Sequence, residues 1–201
     1  MSGGVPFAIL RHAPTAWNAA RRLQGLTDTP LSPAGEALAR GWRLPPPADR
    51  WRRIASPLQR ARRTAELLRP SAPVTVDTAL REMGFGVWEG FTIAELRTRV
   101  GMAFIDAESR GLDFQPPGGE SPRATMLRLR RWAKEIAAAG RPAVAVSHKA
   151  AIRALLALAT GWDMMGRPPH KLDWHRLHFF VAAPDGSVAV ERLNVPFDQA
   201  S

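Results

Sequence analysis

Val5-Pro6-Phe7-Ala8-Ile9-Leu10 is an apolar run of strand length, and Arg11-His12-Ala13-Pro14-Thr15-Ala16-Trp17-Asn18 follows it directly. The run predicts a buried strand, which places Arg11, His12 and Asn18 just beyond its carboxyl end. In open α/β sheets ligands bind at that edge. A histidine beside an arginine there has two readings. It is a nucleophile or base held against an anion by the guanidinium fork, or an ordinary polar pair at a strand end. An isolated pair is more often the second, so its meaning depends on what stands at the other strand ends.

Working outward, the chain alternates strand and helix signals. Ser32-Pro33 opens a helix that ends near Arg43, with Leu38 and Trp42 four residues apart, before Pro45-Pro46-Pro47 stops it. Trp17 to Leu23 reads as a short helical turn, and Gln24 to Pro30 as a polar loop. Arg53-Ile54-Ala55 is a second strand. Ser56-Pro57 repeats the cap signature for a helix to about Leu68, with Ala61, Thr64, Ala65 and Leu68 on one face. Val74-Thr75-Val76 is a third strand, and the glycine-rich Thr78 to Phe91 is a loop. Thr92 with Glu95 fits a capping box for the next helix. Gly111 to Gly119 is another loop, and Ser121-Pro122 begins a long helix that ends before Gly140.

Ala143-Val144-Ala145-Val146 has the pattern of a central strand; it runs into Ser147-His148 and an apolar helix from Ala150 to Leu158, closed by Gly161. Leu177 to Ala182 and Val188 to Leu193 flank Pro184-Asp185-Gly186-Ser187 as a hairpin. The alternation predicts a single domain over 1–201, a three-layer α/β/α sandwich on a mixed, largely parallel sheet.

Composition narrows the chemistry. The 201 residues include 45% hydrophobic and 23% charged, the balance of a globular protein. No apolar run approaches the roughly 20 residues that span a bilayer, and no signal peptide is visible, so the expectation is a cytoplasmic protein without a membrane partner. The absence of cysteine excludes disulfides and thiolate metal sites. A formal net charge of +10 favours anionic partners. The aromatic residues are not interleaved with a basic strip as single-strand binders require, which argues against nucleic acid.

The strand ends then supply the context that Arg11 and His12 lacked. His148 repeats the position of His12, after one strand and before a helix. Arg60 lies in the first turns of the helix after the second strand, although spacing alone does not separate it from Arg62. Glu82 follows the third strand, placed to supply a proton-transfer carboxyl. Several positive donors at one edge suit a phosphoryl group, whose transfer depends on positioning and electrostatic stabilisation. Metal-assisted hydrolysis fits less well, because no His-Glu-x-x-His and no aspartate cluster is present.

Five ordered blocks resemble the histidine phosphatase superfamily, which includes the phosphoglycerate mutases. They are Leu10-Arg11-His12 through Asn18 with Gln24-Gly25; Ser56 to Ala61 with Thr64-Ala65; Leu80-Arg81-Glu82 with Gly86 and Trp88-Glu89-Gly90; Pro117 to Ser121; and Val146-Ser147-His148 with Ile152 to Leu155. The resemblance implies that His12 becomes phosphohistidine, and that Arg11, Arg60 and His148 hold the phosphoryl oxygens with Asn18 as a further donor. It makes Glu82 the general acid and then the base for water. Thr15, Gln24, Gly25, Ser147 and Lys149 are the further candidates for substrate contact. No metal or organic cofactor is implied.

The chain departs from the family pattern in two places. Ala13-Pro14 stands where glycine usually follows the first histidine, and Lys149-Ala150 replaces the common Gly-Gly. The function expected is a phosphomonoesterase acting on a small phosphorylated metabolite, with resemblance to the phosphatases of α-ribazole phosphate. Phosphoglycerate mutase and phosphoprotein phosphatase are the alternatives within the enzyme class, and a basic phosphoryl- or nucleic-acid-binding module lies outside it. Met83 to Glu120 is the main excursion, short for the cover a mutase needs to keep water off its phosphohistidine.

Overall fold

In the computed structural model, which describes residues 4–68 and 73–198, the opening apolar run is β1 (Val5–Arg11). It is followed by α1 (Ala16–Ala19), α2 (Pro33–Gly41), β2 (Arg52–Ala55), α3 (Gln59–Leu68) and β3 (Val74–Val76). Then come α4 (Ile93–Val100), α5 (Met102–Glu108), α6 (Pro122–Ala139), β4 (Ala143–Ser147), α7 (Lys149–Thr160), β5 (Leu177–Ala182) and β6 (Val188–Val195). The six strands form one sheet in the order β3-β2-β4-β1-β5-β6. β3, β2, β4 and β1 run parallel, while β5 and β6 are antiparallel to their neighbours, so the sheet is mixed as expected.

Alternation along the strands builds the three layers. Phe7 and Ile9 of β1, with Ala143 and Ala145 of β4, face Leu129, Trp132 and Ile136 of α6 and Ile152 and Leu155 of α7. Ala8, Leu10, Val144 and Val146 face the other way, onto Ala39 of α2 and Ala61, Ala65 and Leu68 of α3. Phe7 meets Trp132 edge to face at 5.1 Å, a geometry worth about 0.5–1.5 kcal/mol beyond the buried area. Ser32, Thr92 and Ser121 cap α2, α4 and α6 as their sequences predict, and Gly140 and Gly161 close α6 and α7 in the left-handed conformation.

Four details differ from the sequence reading. The turn at Trp17 ends at Ala19, because Arg21 takes a φ of 54° and Arg22 bridges to Thr92. Leu38 and Trp42 share no buried face: Leu38 is exposed, while Trp42 leaves the helix in extended backbone and stacks on Phe197 at 4.5 Å. α3 begins at Gln59, not Pro57, and its first N–H is taken by Asp28 Oδ1 at 2.7 Å. α5 was not legible as a helix. It is seven residues long, and its buried Phe104 and Ala107 join Trp88 and Leu96 in a small separate core. Among the described residues no helix is long and apolar enough to cross a membrane.

Candidate active site

The parallel strands end level with one another, and that registers the site. Arg11 pairs with Ser147, the His12 N–H donates to the Ser147 carbonyl at 2.9 Å, and the Ser56 N–H donates to the Val146 carbonyl at 3.0 Å. His12, Ser56 and His148 therefore leave β1, β2 and β4 side by side. The two imidazoles lie 5.1 Å apart, centre to centre, and are buried.

His12 Nδ1 lies 2.7 Å from the Ala13 carbonyl, which can only accept. Geometry thus assigns the proton to Nδ1 and leaves the lone pair on Nε2. Burial holds the His12 pKa well below its ordinary value, with the Arg11 and Arg60 charges acting in the same direction. The side chain is therefore kept as a neutral imidazole. Ala13, the first departure from the family pattern, is accommodated without strain. It takes no positive φ, its N–H donates to Thr64 Oγ1 at 3.0 Å, and its methyl joins the core on the α2–α3 side.

Arg60 is fully buried and held by the backbone of the Gln24–Thr29 loop, its two terminal nitrogens donating to the carbonyls of Thr27 and Gly25 at 2.8 Å each. Arg62 is exposed, so the fold separates the two arginines that spacing could not. Glu89 ties the same loop down. Its carboxylate accepts from the N–H groups of Leu26, Thr27 and Phe85 and from the Thr27 hydroxyl. Burial pushes the Glu89 pKa up, and these hydrogen bonds outweigh it to leave a net lowering. Gly25 needs its φ of 54° and its missing side chain, because a Cβ there would collide with Glu89 Oε1.

Glu82 faces the start of α7. Its Oε1 accepts from the N–H groups of Met83 at 2.9 Å and Ala151 at 3.1 Å, and Oε2 from that of Ala150 at 3.2 Å. Behind it, buried Arg128 makes a two-pronged ion pair with Glu120 and donates to the Glu82 and Ala79 carbonyls. Arg128, Glu120, Glu89 and Ser56 carry no role in the sequence reading. Glu89 and Glu120 lay inside the quoted family blocks, and Ser56 passed for a helix cap. Its hydroxyl accepts the Leu58 N–H at 3.3 Å and also contacts His148 Nε2 at 2.7 Å.

These groups surround a cavity of about 630 Å³. Arg11, His12, Asn18, Gln24, Arg60, Glu82 and Lys149 line it. Asn18 Oδ1 accepts from the Thr15 N–H and Gln24 Oε1 from the hydroxyls of Thr29 and Thr15, which leaves both amide NH₂ groups as donors. Four of the expected residues stand behind the lining. His148 packs against His12, Ser147 donates to the Leu80 carbonyl, Thr15 orients Asn18 and Gln24, and Gly25 holds Arg60. Phe85, Phe104 and Phe114 line the cavity, whereas Trp88 is core and Phe91 and Trp162 lie off the lining. Among the described residues no three His, Asp or Glu side chains cluster as a metal site.

A pH dependence of stability follows. Burial, then the charges of His12, Arg60 and Arg11, holds the His148 pKa well below the ordinary value, and burial brings His178 to about 4. In the unfolded chain all three titrate near ~6.5. Between the folded values and that point the unfolded chain binds more protons. Stability is therefore present above about pH 6.5 and lost as the pH falls below it, by up to about 1.4 kcal/mol per pH unit for each histidine. Urea unfolding between pH 7.5 and 5 should show this decline; a flat or rising stability contradicts it.

The chain resembles known proteins over most of its length. A profile of the histidine phosphatase superfamily (branch 1) matches residues 7–195. The chain is 33% identical over 162 residues to 2,3-bisphosphoglycerate-dependent phosphoglycerate mutase 2 of Gloeobacter violaceus, covering 74% of this chain and 72% of that one. It is also 33% identical over 182 residues to glucosyl-3-phosphoglycerate phosphatase of Mycolicibacterium vanbaalenii, covering 79% and 77%. Among solved structures, a mycobacterial glucosyl-3-phosphoglycerate phosphatase in complex with VO3 superposes with a TM-score of 0.74 at 27% identity, over 95% of this chain and 99% of that one.

Proposed function

Because this chain belongs to the histidine phosphatase superfamily, we propose that it hydrolyses a small phosphorylated metabolite through a phosphohistidine formed on His12. The observation that carries this reading is the fixed tautomer of His12, a neutral imidazole with its lone pair on Nε2, in a residue that lines the cavity with Arg11 and Arg60. Nε2 attacks phosphorus, the N–P bond forms, and the P–O bond to the alcohol breaks. Arg11 and Arg60 face the charge on the equatorial oxygens, and Glu82 gives its proton to the departing oxygen. Water then attacks the phosphohistidine, Glu82 takes the proton back, and the P–N bond breaks to release phosphate and neutral His12.

The cavity supports a small substrate over a phosphoprotein. Its volume falls within the roughly 300–1,000 Å³ of small-molecule sites, and an apolar wall that includes Phe85 closes one side. Exposed Arg21, Glu108 and Lys149 at its edge leave a route for water, which favours hydrolysis over a mutase reaction.

The test is turnover of p-nitrophenyl phosphate and a panel of phosphorylated metabolites in excess chelator. Phosphate release that survives chelation is expected, and no release from any ester would overturn the reading. Supplying 3-phosphoglycerate with 2,3-bisphosphoglycerate separates the mutase. Isomerisation outrunning phosphate release would replace the phosphatase with it.

A further inference from the structure

Lys149 and Arg153 lie one turn apart at the start of α7, both line the cavity, and the phosphoryl chemistry above uses neither. Like charges at this spacing repel on a helix. Nothing on α7 relieves them, since Lys149 to Thr160 contains no acidic residue. Among the described residues no salt bridge joins either cation to a carboxylate. Each instead lies over an indole, Lys149 Nζ 5.4 Å from the Trp174 ring and the Arg153 guanidinium 4.9 Å from that of Trp162. Those contacts fix the heads without neutralising them.

The two acids that line the cavity are engaged elsewhere. Glu82 accepts backbone N–H groups, and Glu108 pairs with Arg97 at 2.9 Å. Burial lowers the pKa of both α7 cations; the neighbouring charges of Arg11 and Arg153 lower that of Lys149 further, and the charge of Glu82 offsets part of this. A positive pair on the cavity wall that no carboxylate of the described residues bridges matches an anion on the ligand.

We propose that Lys149 and Arg153 form a second anion subsite, so that the preferred substrate is a phosphomonoester whose alcohol part carries another anionic group, a carboxylate or a second phosphoryl. The inference rests on the phosphomonoesterase reading above. Lys149, the chain's second departure from the family pattern, then becomes a residue that sets specificity.

Two substrate pairs test it on the full chain. 3-Phosphoglycerate and glycerol 3-phosphate differ by a carboxylate against a hydroxymethyl group, and fructose 1,6-bisphosphate and fructose 6-phosphate by one phosphoryl. The wild-type protein should favour the doubly anionic member of at least one pair by about 10- to 100-fold in kcat/KM, the size of a charge-assisted contact, and that pair identifies the anion. Lys149→Ala, at an exposed position, should lower the ratio, and Lys149→Ala with Arg153→Gln should bring it near one, whatever happens to the absolute rates. Equal kcat/KM within both wild-type pairs would overturn the subsite and leave the phosphomonoesterase standing. So would selectivity that survives the double substitution. Turnover of no ester, p-nitrophenyl phosphate included, would overturn both.

Discussion

His12→Ala is expected to reduce kcat/KM for every phosphomonoester by at least about 10³-fold, or roughly 4 kcal/mol of transition-state stabilisation. The size follows from what the side chain supplies. In the proposed mechanism it is the nucleophile, a neutral imidazole whose lone pair is left on Nε2 by the 2.7 Å hydrogen bond from Nδ1 to the Ala13 carbonyl. Arg11, Arg60 and Asn18 remain to bind the phosphoryl group, so KM should change far less than kcat. The substitution also removes a buried imidazole from beside His148. An unfolding midpoint measured alongside the kinetics separates lost chemistry from lost structure. A variant that keeps more than a tenth of wild-type kcat would place the nucleophile elsewhere.

Glu82→Gln carries the second large effect, and it should depend on the leaving group. General acid catalysis contributes about 10²- to 10⁴-fold where the departing oxygen needs a proton. An alkyl phosphate such as glycerol 3-phosphate should lose kcat/KM by that factor. p-Nitrophenolate leaves without a proton, so kcat/KM for its ester should fall about tenfold or less. The exchange is mild for the fold, because a glutamine oxygen can retain the bonds from Met83 and Ala151 and gives up the one from Ala150. Equal losses for the two esters would assign Glu82 a positioning role and move the acid to another group.

The sheet and the edge that carries the candidate site were legible because both depend on local pattern. Apolar runs of strand length marked β1 and β4, and the residues after them had to lie on one edge once the strands were parallel. What the sequence hid was tertiary. Ser56 looks like a helix cap beside Pro57, and only the packing of β2 against β4 reveals that its hydroxyl meets His148. Arg60 and Arg62 are equivalent in spacing, and the loop carbonyls of Gly25 and Thr27 distinguish them. Arg128 sits mid-helix among other arginines, so its grip on Glu120 and on the Glu82 carbonyl has no local signature. α5 is too short for periodicity to register, and it is held by contacts with Trp88 and Leu96.

Ala13 departs from the glycine of the family pattern without backbone strain, because it takes no positive φ. The close approach in this loop is made instead by Gly35, where a Cβ would collide with the Pro14 carbonyl. Loop geometry at the first histidine is thus set by the helix packed against it as much as by the residue that follows.

The most direct measurement of the central claim is rapid quenching of the wild-type protein during turnover of a ³²P-labelled phosphomonoester, followed by peptide mapping. The mechanism predicts a phosphate that is labile to acid and stable to base, located on His12, formed and consumed fast enough to account for turnover, and absent from His12→Ala. Phosphate release without label on the protein, or label stable to acid on a serine or threonine, would contradict it.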